Sequence, residues 1–251
     1  KWTNQVNAQT SLQGGVIALI EQLYTSLERQ YGKELVRAAL AFLTFSVKGV
    51  TDIEMEDLLS LYDAVLDKVF QYVQPNVRRL PSHVWQRIKS AMDGLITEGE
   101  HGCILWFHRQ LRETAERRFA SEKEMVHNIM ATYFGNLVED NVRVERKIAE
   151  QHWTHQGHPF DQASVVNSRR CFEASFHMLQ CGLLVEAEQE LCNFEGICSK
   201  IRQGEGFQLV LDLAELLAKV DAGLWKEGEN AGKVSELRER VYHYWRWLRQ
   251  D

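Results

Sequence analysis

The stretch YGKELVRAALAFLTFSVKGVTDIEMEDLLSL, residues 31–61, decides the fold because it encodes two helices joined by a tight turn. Apolar residues recur every three or four positions over residues 33–45, which predicts a helix with an apolar face. The turn follows at Gly49. Thr51 and Glu54 then have the spacing of a capping box, in which both side chains satisfy free backbone amides at a helix start. The stretch therefore predicts a helix–turn–helix unit.

The residues before this stretch predict one more helix. Apolar residues at helical spacing run from about Gly15 to Arg29 and form one stripe, which consists of Val16, Leu19, Ile20, Leu23 and Leu27. Gly32 then separates this helix from the next one. We assign residues 1–31 to a helix that connects the chain to an upstream domain.

The residues after the stretch predict further short helices. A helical segment over residues 64–72 ends at Pro75. Ser82 then suits the N-cap position of a helix that carries Trp85, because a serine side chain accepts a hydrogen bond from a free backbone amide. Together with the two helices of the opening stretch, this helix completes a three-helix pattern.

A short β segment follows the third long helix of this pattern. Residues 94–102 are predicted to form a polar turn, and residues 103–107 are predicted to form a strand because they are apolar and rich in aromatic residues. A charged helix is expected directly afterwards, over residues 109–119. Helices followed by a hairpin or wing are the pattern of a winged-helix domain, which we place at residues 32–120.

The charge of this domain argues against DNA as its partner. A winged helix that reads DNA needs excess Lys and Arg on its third helix and wing. Here the third helix has Arg87 and Lys89, whereas the following turn has Glu98 and Glu100. The whole chain carries a net charge of -6. We therefore expect a winged helix that contacts protein, and no binding of nucleic acid.

Residues 121–251 predict a second, purely helical domain. Its helices have short joints and are expected at residues 124–137, 142–155, 169–180, 184–192, 207–220 and 234–248. Successive antiparallel helices of this kind stack into a solenoid. The expected fold class is thus mainly α, with a winged-helix domain of helices and a short β wing followed by an α-helical, solenoid-like superhelix.

The composition of the chain bears on the compartment in which we expect the protein. The 251 residues contain five cysteines without paired spacing, which suggests reduced thiols in the cytoplasm and not a secreted disulfide framework. No apolar run approaches the roughly 18 residues that a membrane span requires, so we expect no membrane contact. Because the chain starts at Lys1 and not at Met, we expect an excised or processed piece of a longer protein.

No motif predicts catalysis by this chain itself. The sequence contains no G-x-x-x-x-G-K-[ST] motif, and the nearest string, residues 228–234, is one residue short and has Val234 where the Mg²⁺-binding hydroxyl belongs. His152, His155 and His158 have a spacing that metal ligands use, but a proline follows them and no general base is placed as a metalloprotease needs. We therefore expect no enzyme activity, no metal site and no cofactor held by this chain alone.

Three segments resemble a known family. They are residues 31–61, then VQPNVRRLPSHVWQRI at 73–88, then ILWFHRQLRETAERRF at 104–119. In this order and spacing they are similar to the region that follows the nucleotide-binding domain in NACHT- and WD-repeat-containing proteins. More distantly, they resemble nephrocystin and other signal-transducing ATPases with numerous domains. The resemblance is good over about residues 16–135 and only general afterwards.

The resemblance implies a regulatory function. In such proteins an upstream NACHT domain binds ADP or ATP with Mg²⁺, and the winged helix folds back to lock the ADP form. A histidine at the start of the helix after the core strand reaches the β-phosphate, and here that residue is His108, with Arg109 beside it. The resemblance also implies a WD-repeat propeller downstream, contacts with other proteins and an oligomer on activation.

Several interpretations stay open at the level of sequence. His108 also fits a simple helix-start residue packed beside Trp106. Arg78 and Arg79 suit either a phosphate or acidic partner, or a solvated loop. The aromatic last helix, with Trp245 and Trp247, suggests packing onto another domain or partner.

Two functions follow from these interpretations. One is the non-catalytic regulatory segment of a switch ATPase, in which the winged helix senses ADP or ATP and the helical region relays the signal. The alternative is a stand-alone helical adaptor that binds no nucleotide.

Overall fold

The computed structural model describes residues 15–73, 75–138, 167–223 and 231–249, and within these ranges the chain forms twelve α-helices and one two-stranded sheet. We name residues 15–138 the winged-helix half and residues 167–249 the helical half. The predicted fold class is confirmed: the structure is mostly helical, with a winged-helix domain that carries a small sheet. None of the described helices combines the length and the apolarity that a membrane crossing requires.

The winged-helix half contains seven helices and both strands. They are α1 (Val16–Tyr31), α2 (Lys33–Phe45), α3 (Asp52–Ser60), α4 (Asp63–Val69), α5 (Ser82–Ala91), β1 (Ile96–Glu98), β2 (Ile104–Trp106), α6 (Arg109–Arg118) and α7 (Lys123–Phe134). Single turns of 3-10 helix precede β2 and α7.

Helix α2 is the centre of this half, and it has the bounds that the sequence predicts. It contacts α1, α3, α4, α6, α7 and β2, so Ala38 and Phe42 are buried as fully as Leu40. The expectation of a single apolar face was therefore too narrow. A helix that neighbours cover on all sides buries its small and large residues alike.

The predicted capping box opens α3. The Thr51 hydroxyl accepts from the backbone N–H of Glu54 at 3.2 Å, and the Glu54 carboxylate accepts from the backbone N–H of Thr51 at 2.8 Å. The prediction is confirmed because the motif depends only on residues within one turn of helix.

Helix α1 turns a different face to the core from the one that the sequence suggests. Ile20 and Leu27 are buried as expected, but Val16 and Leu19 are exposed. The buried residue that the stripe omits is Tyr24, which donates a hydrogen bond to the carbonyl of Leu111 at 2.8 Å. A tyrosine with a partner for its hydroxyl is as good a core residue as leucine.

Helix α5 lacks the N-cap that was predicted. Ser82 is the first helical residue and Pro81 takes the N-cap position, with no side-chain hydrogen bond. Trp85 is buried as expected, and its indole N–H donates to Asp52 of α3 at 2.7 Å. Tertiary contacts between α5 and α3 therefore replace the missing cap in fixing this helix.

The wing is an antiparallel hairpin of β1 and β2, in which Thr97 pairs with Leu105. Residues 94–102 were predicted as a turn only, and the first strand of the hairpin was missed. Val50 forms an additional bridge to Ile104, so the wing is attached to the turn after α2. Gly49 lies in this turn with φ of 80°, and a Cβ there would lie 2.3 Å from the carbonyl oxygen of Ile104. Only glycine allows this approach.

The helical half contains α8 (Ser168–Gln180), α9 (Leu184–Leu191), α10 (Phe194–Arg202), α11 (Gly206–Asp221) and α12 (Ala231–Leu248). Helices α8 and α9 each contact the next helices along the chain, α11 contacts α12, and this succession is how a solenoid stacks. Helix α10 was not predicted, although Asn193 provides its N-cap by accepting from the backbone N–H of Glu195. The predicted helix at residues 142–155 and the string of His152, His155 and His158 lie outside the described residues.

The predicted domain limits at residues 31 and 120 remain predictions. Helix α1 contacts α2, α5 and α6, and α7 contacts both α2 and α8. The two halves therefore meet mainly through α7 and α8, which form the most extensive helix–helix contact among the described elements.

Candidate functional site

His108 occupies the N-cap position of α6, directly after the wing. Its backbone is extended, and its carbonyl accepts from the N–H groups of Leu111 and Arg112. The side chain makes no capping hydrogen bond and is exposed. It contacts the ring of Phe107, with 4.4 Å between ring centroids, and it lines one depression together with Trp106. Trp106 turns inward and donates to Thr44 at 3.1 Å.

Two arginines accompany His108 at the start of α6. Arg109 contacts Glu113 at 2.6 Å, Arg112 contacts Glu116 at 3.0 Å, and both pairs span four residues on the helix surface. The Arg109 side chain is 88% exposed. Exposed pairs of this type are weak, at about 0.3–0.5 kcal/mol, so either guanidinium is available to an anion that arrives at this surface.

The surface beside His108 contains a small depression. It has a volume of about 160 Å³ and is lined by Leu43, Ser46, Leu105, Trp106, His108, Arg109 and Arg112. Pockets that enclose small molecules start at roughly 300 Å³. The depression therefore offers one wall of a binding site, with cationic groups and a helix N-terminus that favour a negative charge.

The two neighbouring arginines, Arg78 and Arg79, lie in different environments. Arg78 forms an ion pair with Asp67 near the surface, which fits a solvated loop. Arg79 instead contacts Asp57, whose side chain is completely buried, and Glu56 at 3.3 Å. The solvated interpretation is wrong for Arg79, because its guanidinium compensates a buried carboxylate of α3.

The last helix exposes aromatic and cationic side chains. Trp247 is 59% exposed and Tyr242 is 47% exposed, whereas Trp245 is half-buried. The guanidinium of Arg249 lies over the Trp245 ring, 4.7 Å from its centroid. Tryptophan, tyrosine and arginine are the residues enriched at the centres of protein interfaces.

Sequence reasoning missed a stripe of ionisable residues on α8 that joins the two halves. Arg169, Glu173 and His177 lie four residues apart and share one face of the helix. Glu173 is fully buried and accepts from the backbone N–H groups of Val47 and Lys48, both at 2.9 Å. The signal was present as i, i+4 spacing of opposite charges, but such spacing ordinarily marks a solvated helix face.

Arg169 extends the stripe to the capping box of α3. Its guanidinium donates to Glu54 at 2.7 Å and to the carbonyl of Gly49 at 2.6 Å, and it lies 3.3 Å from Glu173. Burial by itself raises the pKa of Glu173, but His177, Arg169 and the N–H of Val47 together hold the pKa below its usual value. Glu173 is therefore ionised at neutral pH and fixes the turn after α2.

His177 connects the stripe to a second buried histidine, His127 of α7. His177 Nε2 lies 3.1 Å from the Glu173 carboxylate, and His177 Nδ1 lies 2.7 Å from His127 Nδ1. Because ionised Glu173 only accepts, we assign the Nε2 proton to His177. In the neutral pair, the Nδ1–H group of His127 then donates to the unprotonated Nδ1 atom of His177. His127 Nε2 is buried without a hydrogen-bond partner among the described residues.

The chain is similar in sequence to a known family of proteins. Residues 4–127 match the family described as NWD1-like, winged helix-turn-helix domain. The NACHT domain- and WD repeat-containing protein 1 of Mus musculus is 30% identical over 220 residues, which cover 78% of this chain and 14% of that protein. The NACHT and WD repeat domain-containing protein 2 of Homo sapiens is 26% identical over 251 residues, with 83% and 14% covered. No solved structure matches the chain.

The chain belongs to the family of NACHT- and WD-repeat-containing proteins. The resemblance that residues 31–61, 73–88 and 104–119 carry is thereby confirmed. The chain spans about one seventh of the length of these relatives, and the winged helix is the segment that the family match describes. In this NACHT- and WD-repeat-family chain, His108 and Arg109 lie inside the matched domain, whereas the α8 stripe lies beyond it.

Proposed function

We propose that this chain is a regulatory, non-catalytic segment of a larger NACHT-type switch ATPase, in which the winged helix senses whether ADP or ATP is bound. The observation that carries the proposal is His108, an exposed histidine at the N-terminus of α6 with Arg109 and Arg112 beside it. Free backbone N–H groups, an imidazole and two guanidinium groups on one surface suit a phosphate. The depression is too small to enclose a nucleotide, so the rest of the site is left to a separate domain.

In this proposal the nucleotide and Mg²⁺ are held by an upstream NACHT domain. His108 donates to the β-phosphate of ADP, and the winged helix stays docked as long as this contact lasts. A γ-phosphate occupies the same space and displaces His108, so exchange of ADP for ATP releases the winged helix. Only a few kcal/mol of differential binding are needed to shift such a two-state equilibrium.

The test uses a polypeptide that joins this chain to its NACHT domain. We expect His108→Ala to raise the ADP dissociation rate about tenfold or more, since a hydrogen bond to a charged group contributes about 1.5–3 kcal/mol. The matched control is His83→Ala, because His83 is also an exposed histidine in the first turn of a helix. Equal dissociation rates in His108→Ala and in the unaltered protein contradict the proposal.

The helical half supplies the relay in this proposal, through the exposed end of α12. Trp247 and Tyr242 offer apolar area, and Arg249 offers a cation, to a WD-repeat propeller or another protein. We expect Trp247→Ala to weaken binding of a separately produced propeller at least tenfold in a calorimetric titration. The control is Tyr72→Ala, which removes an 89% exposed aromatic side chain elsewhere. Equal losses from both variants contradict a specific surface on α12.

A stand-alone adaptor uses the same α12 surface but predicts no effect of nucleotide. The two functions therefore separate in the ADP experiment, because an adaptor leaves ADP dissociation unchanged in every variant of this chain.

A further inference from the structure

The contact between α7 and α8 contains a buried histidine pair whose polar atoms are only partly satisfied. His127 is 2% exposed and His177 is completely buried. The pair makes one hydrogen bond between its two Nδ1 atoms, and His177 makes a second one to Glu173. The Nε2 atom of His127 has neither a donor nor an acceptor nearby among the described residues. A proton on this nitrogen would create a buried cation without a counter-ion.

Burial and three neighbouring basic residues oppose that cation. Burial is the main reason why its pKa falls from 6.5 to about 3, and His177 of α8, Lys123 of α7 and Lys219 of α11 each lower the pKa further. Two aromatic rings, Phe45 of α2 and Phe176 of α8, also lie beside it, with their centroids 5.9 and 5.7 Å from that of the imidazole. The nearest anion, Glu173, contacts His177 and not His127.

Glu173 itself remains ionised through partners on several elements. His177 and Arg169 face it from its own helix, and the backbone N–H groups of Val47 and Lys48 face it from the turn after α2. Because these partners hold the pKa of Glu173 below its usual value, this carboxylate stays ionised in the mildly acidic range in which His127, once exposed to water, takes up a proton. Helix α8 therefore makes two contacts that respond differently to acid. Its contact with α7 contains the titratable His127, whereas its contact with the turn after α2 depends on an ionised carboxylate.

We propose that the His127–His177 pair is an acid-sensitive latch between the winged-helix half and the helical half. His127 takes up a proton only when α7 and α8 separate and water reaches its Nε2 atom. Lower pH therefore favours the separated state, whereas neutral pH favours the closed one. This latch does not depend on nucleotide binding at His108, so it stands or falls separately from the proposed function.

The size of the effect follows from the proton that is bound on opening. A histidine with a pKa of 6.5 in the open state and about 3 in the closed state makes the opening equilibrium about tenfold more favourable at pH 5.5 than at pH 7.5. The direction is fixed: the open state binds more protons, so acid shifts the equilibrium toward it.

The test is amide hydrogen exchange of the full 251-residue chain at pH 7.5 and 5.5, with rates divided by the intrinsic exchange rate at each pH. We expect peptides from α7 and α8 to lose about tenfold in protection at pH 5.5, while peptides from α5 keep theirs. His127→Asn retains a donor close to the position of Nδ1 and has no titratable group, so its α7 and α8 peptides should change less than twofold. His83→Asn, at an exposed histidine, should keep the tenfold response.

Two results would overturn the latch. One is equal protection of α7 and α8 at both pH values in the unaltered chain. The other is an undiminished acid response in His127→Asn. If this variant does not fold, an NMR titration of the histidine rings in the unaltered chain decides: a His127 ring that titrates near pH 6.5 while α7 and α8 remain protected also contradicts the proposal.

Discussion

Two helices of this chain carry arginines in opposite surroundings. At the start of α6, Arg109 is 88% exposed and forms an ion pair with Glu113, one turn away. At the start of α8, Arg169 is 12% exposed and contacts Glu54, the carbonyl of Gly49 and Glu173. The first arginine is free to bind an incoming anion, whereas the second is committed to holding two halves of the molecule together. Position within the fold, and not residue type, decides whether an arginine is exposed at the surface or buried in a structural contact.

This difference has an energetic consequence that mutation can expose. An exposed ion pair contributes about 0–1 kcal/mol, because water screens it and side-chain entropy opposes it. Removal of one partner from a buried pair costs about 3–5 kcal/mol, because the other charge stays buried without compensation. The two surfaces should therefore respond to the same substitution by very different amounts.

The largest effect is expected at the buried surface. Glu173→Gln leaves Arg169 without half of its compensation and weakens the contacts to the N–H groups of Val47 and Lys48. We expect the free energy of unfolding to fall by about 3–5 kcal/mol in urea denaturation. Glu113→Gln, the same change at the exposed pair, should stay within about 0.5 kcal/mol. Similar losses from both variants would remove the distinction between the surfaces.

A second large effect is expected in α2, the helix that precedes the turn at Gly49. Leu40 of α2 is completely buried, so Leu40→Ala creates a cavity and should cost about 2–5 kcal/mol of unfolding free energy. Leu211→Ala, at a leucine that is 45% exposed on α11, is the control and should cost less than about 1 kcal/mol. A small loss for Leu40→Ala would mean that α2 is not the centre of the winged-helix half.

The capping box should give an intermediate effect. Thr51→Ala removes the hydroxyl that accepts from Glu54, which should cost about 1 kcal/mol in the same denaturation experiment. Thr51→Ser keeps the hydroxyl and should retain most of that stability. Equal losses in the two variants would show that the methyl group of Thr51, and not its hydroxyl, matters here.

The smallest effect on stability is expected at the exposed surface. Arg109→Ala removes the exposed pair with Glu113, so the free energy of unfolding should change by less than about 0.5 kcal/mol. In a polypeptide that includes the NACHT domain, the same variant should nevertheless release ADP faster if Arg109 assists His108. A large loss of stability would place Arg109 among the structural residues instead.

The same contrast between local and distant contacts explains which elements can be predicted from the sequence. The bounds of α2 and the capping box at Thr51 are predictable because their signals lie within one helix or one turn. Strand β1 was missed because its three residues depend on pairing with β2, which is a tertiary contact. Helix α10 had a local signal in Asn193, but it is only nine residues long and its apolar pattern is short.

The exposed start of α6 and the buried stripe on α8 also differ in how well the sequence predicts them. His108 was found from the family resemblance, and the structure places it at the start of a helix and exposed. Glu173 was not found, because its hydrogen-bond partners Val47 and Lys48 lie 126 and 125 residues away in the chain. No local pattern distinguishes a glutamate on a solvated helix face from one that a distant turn buries.

The central claim, that the exposed end of α6 senses the nucleotide, is tested most directly by hydrogen exchange in a polypeptide that includes the NACHT domain. Exchange over residues 104–119 is compared between the ADP-loaded protein and the same protein with a non-hydrolysable ATP analogue. The account predicts strong protection at His108 and the following turn with ADP, and loss of that protection with the ATP analogue. Equal exchange in the two states would contradict it.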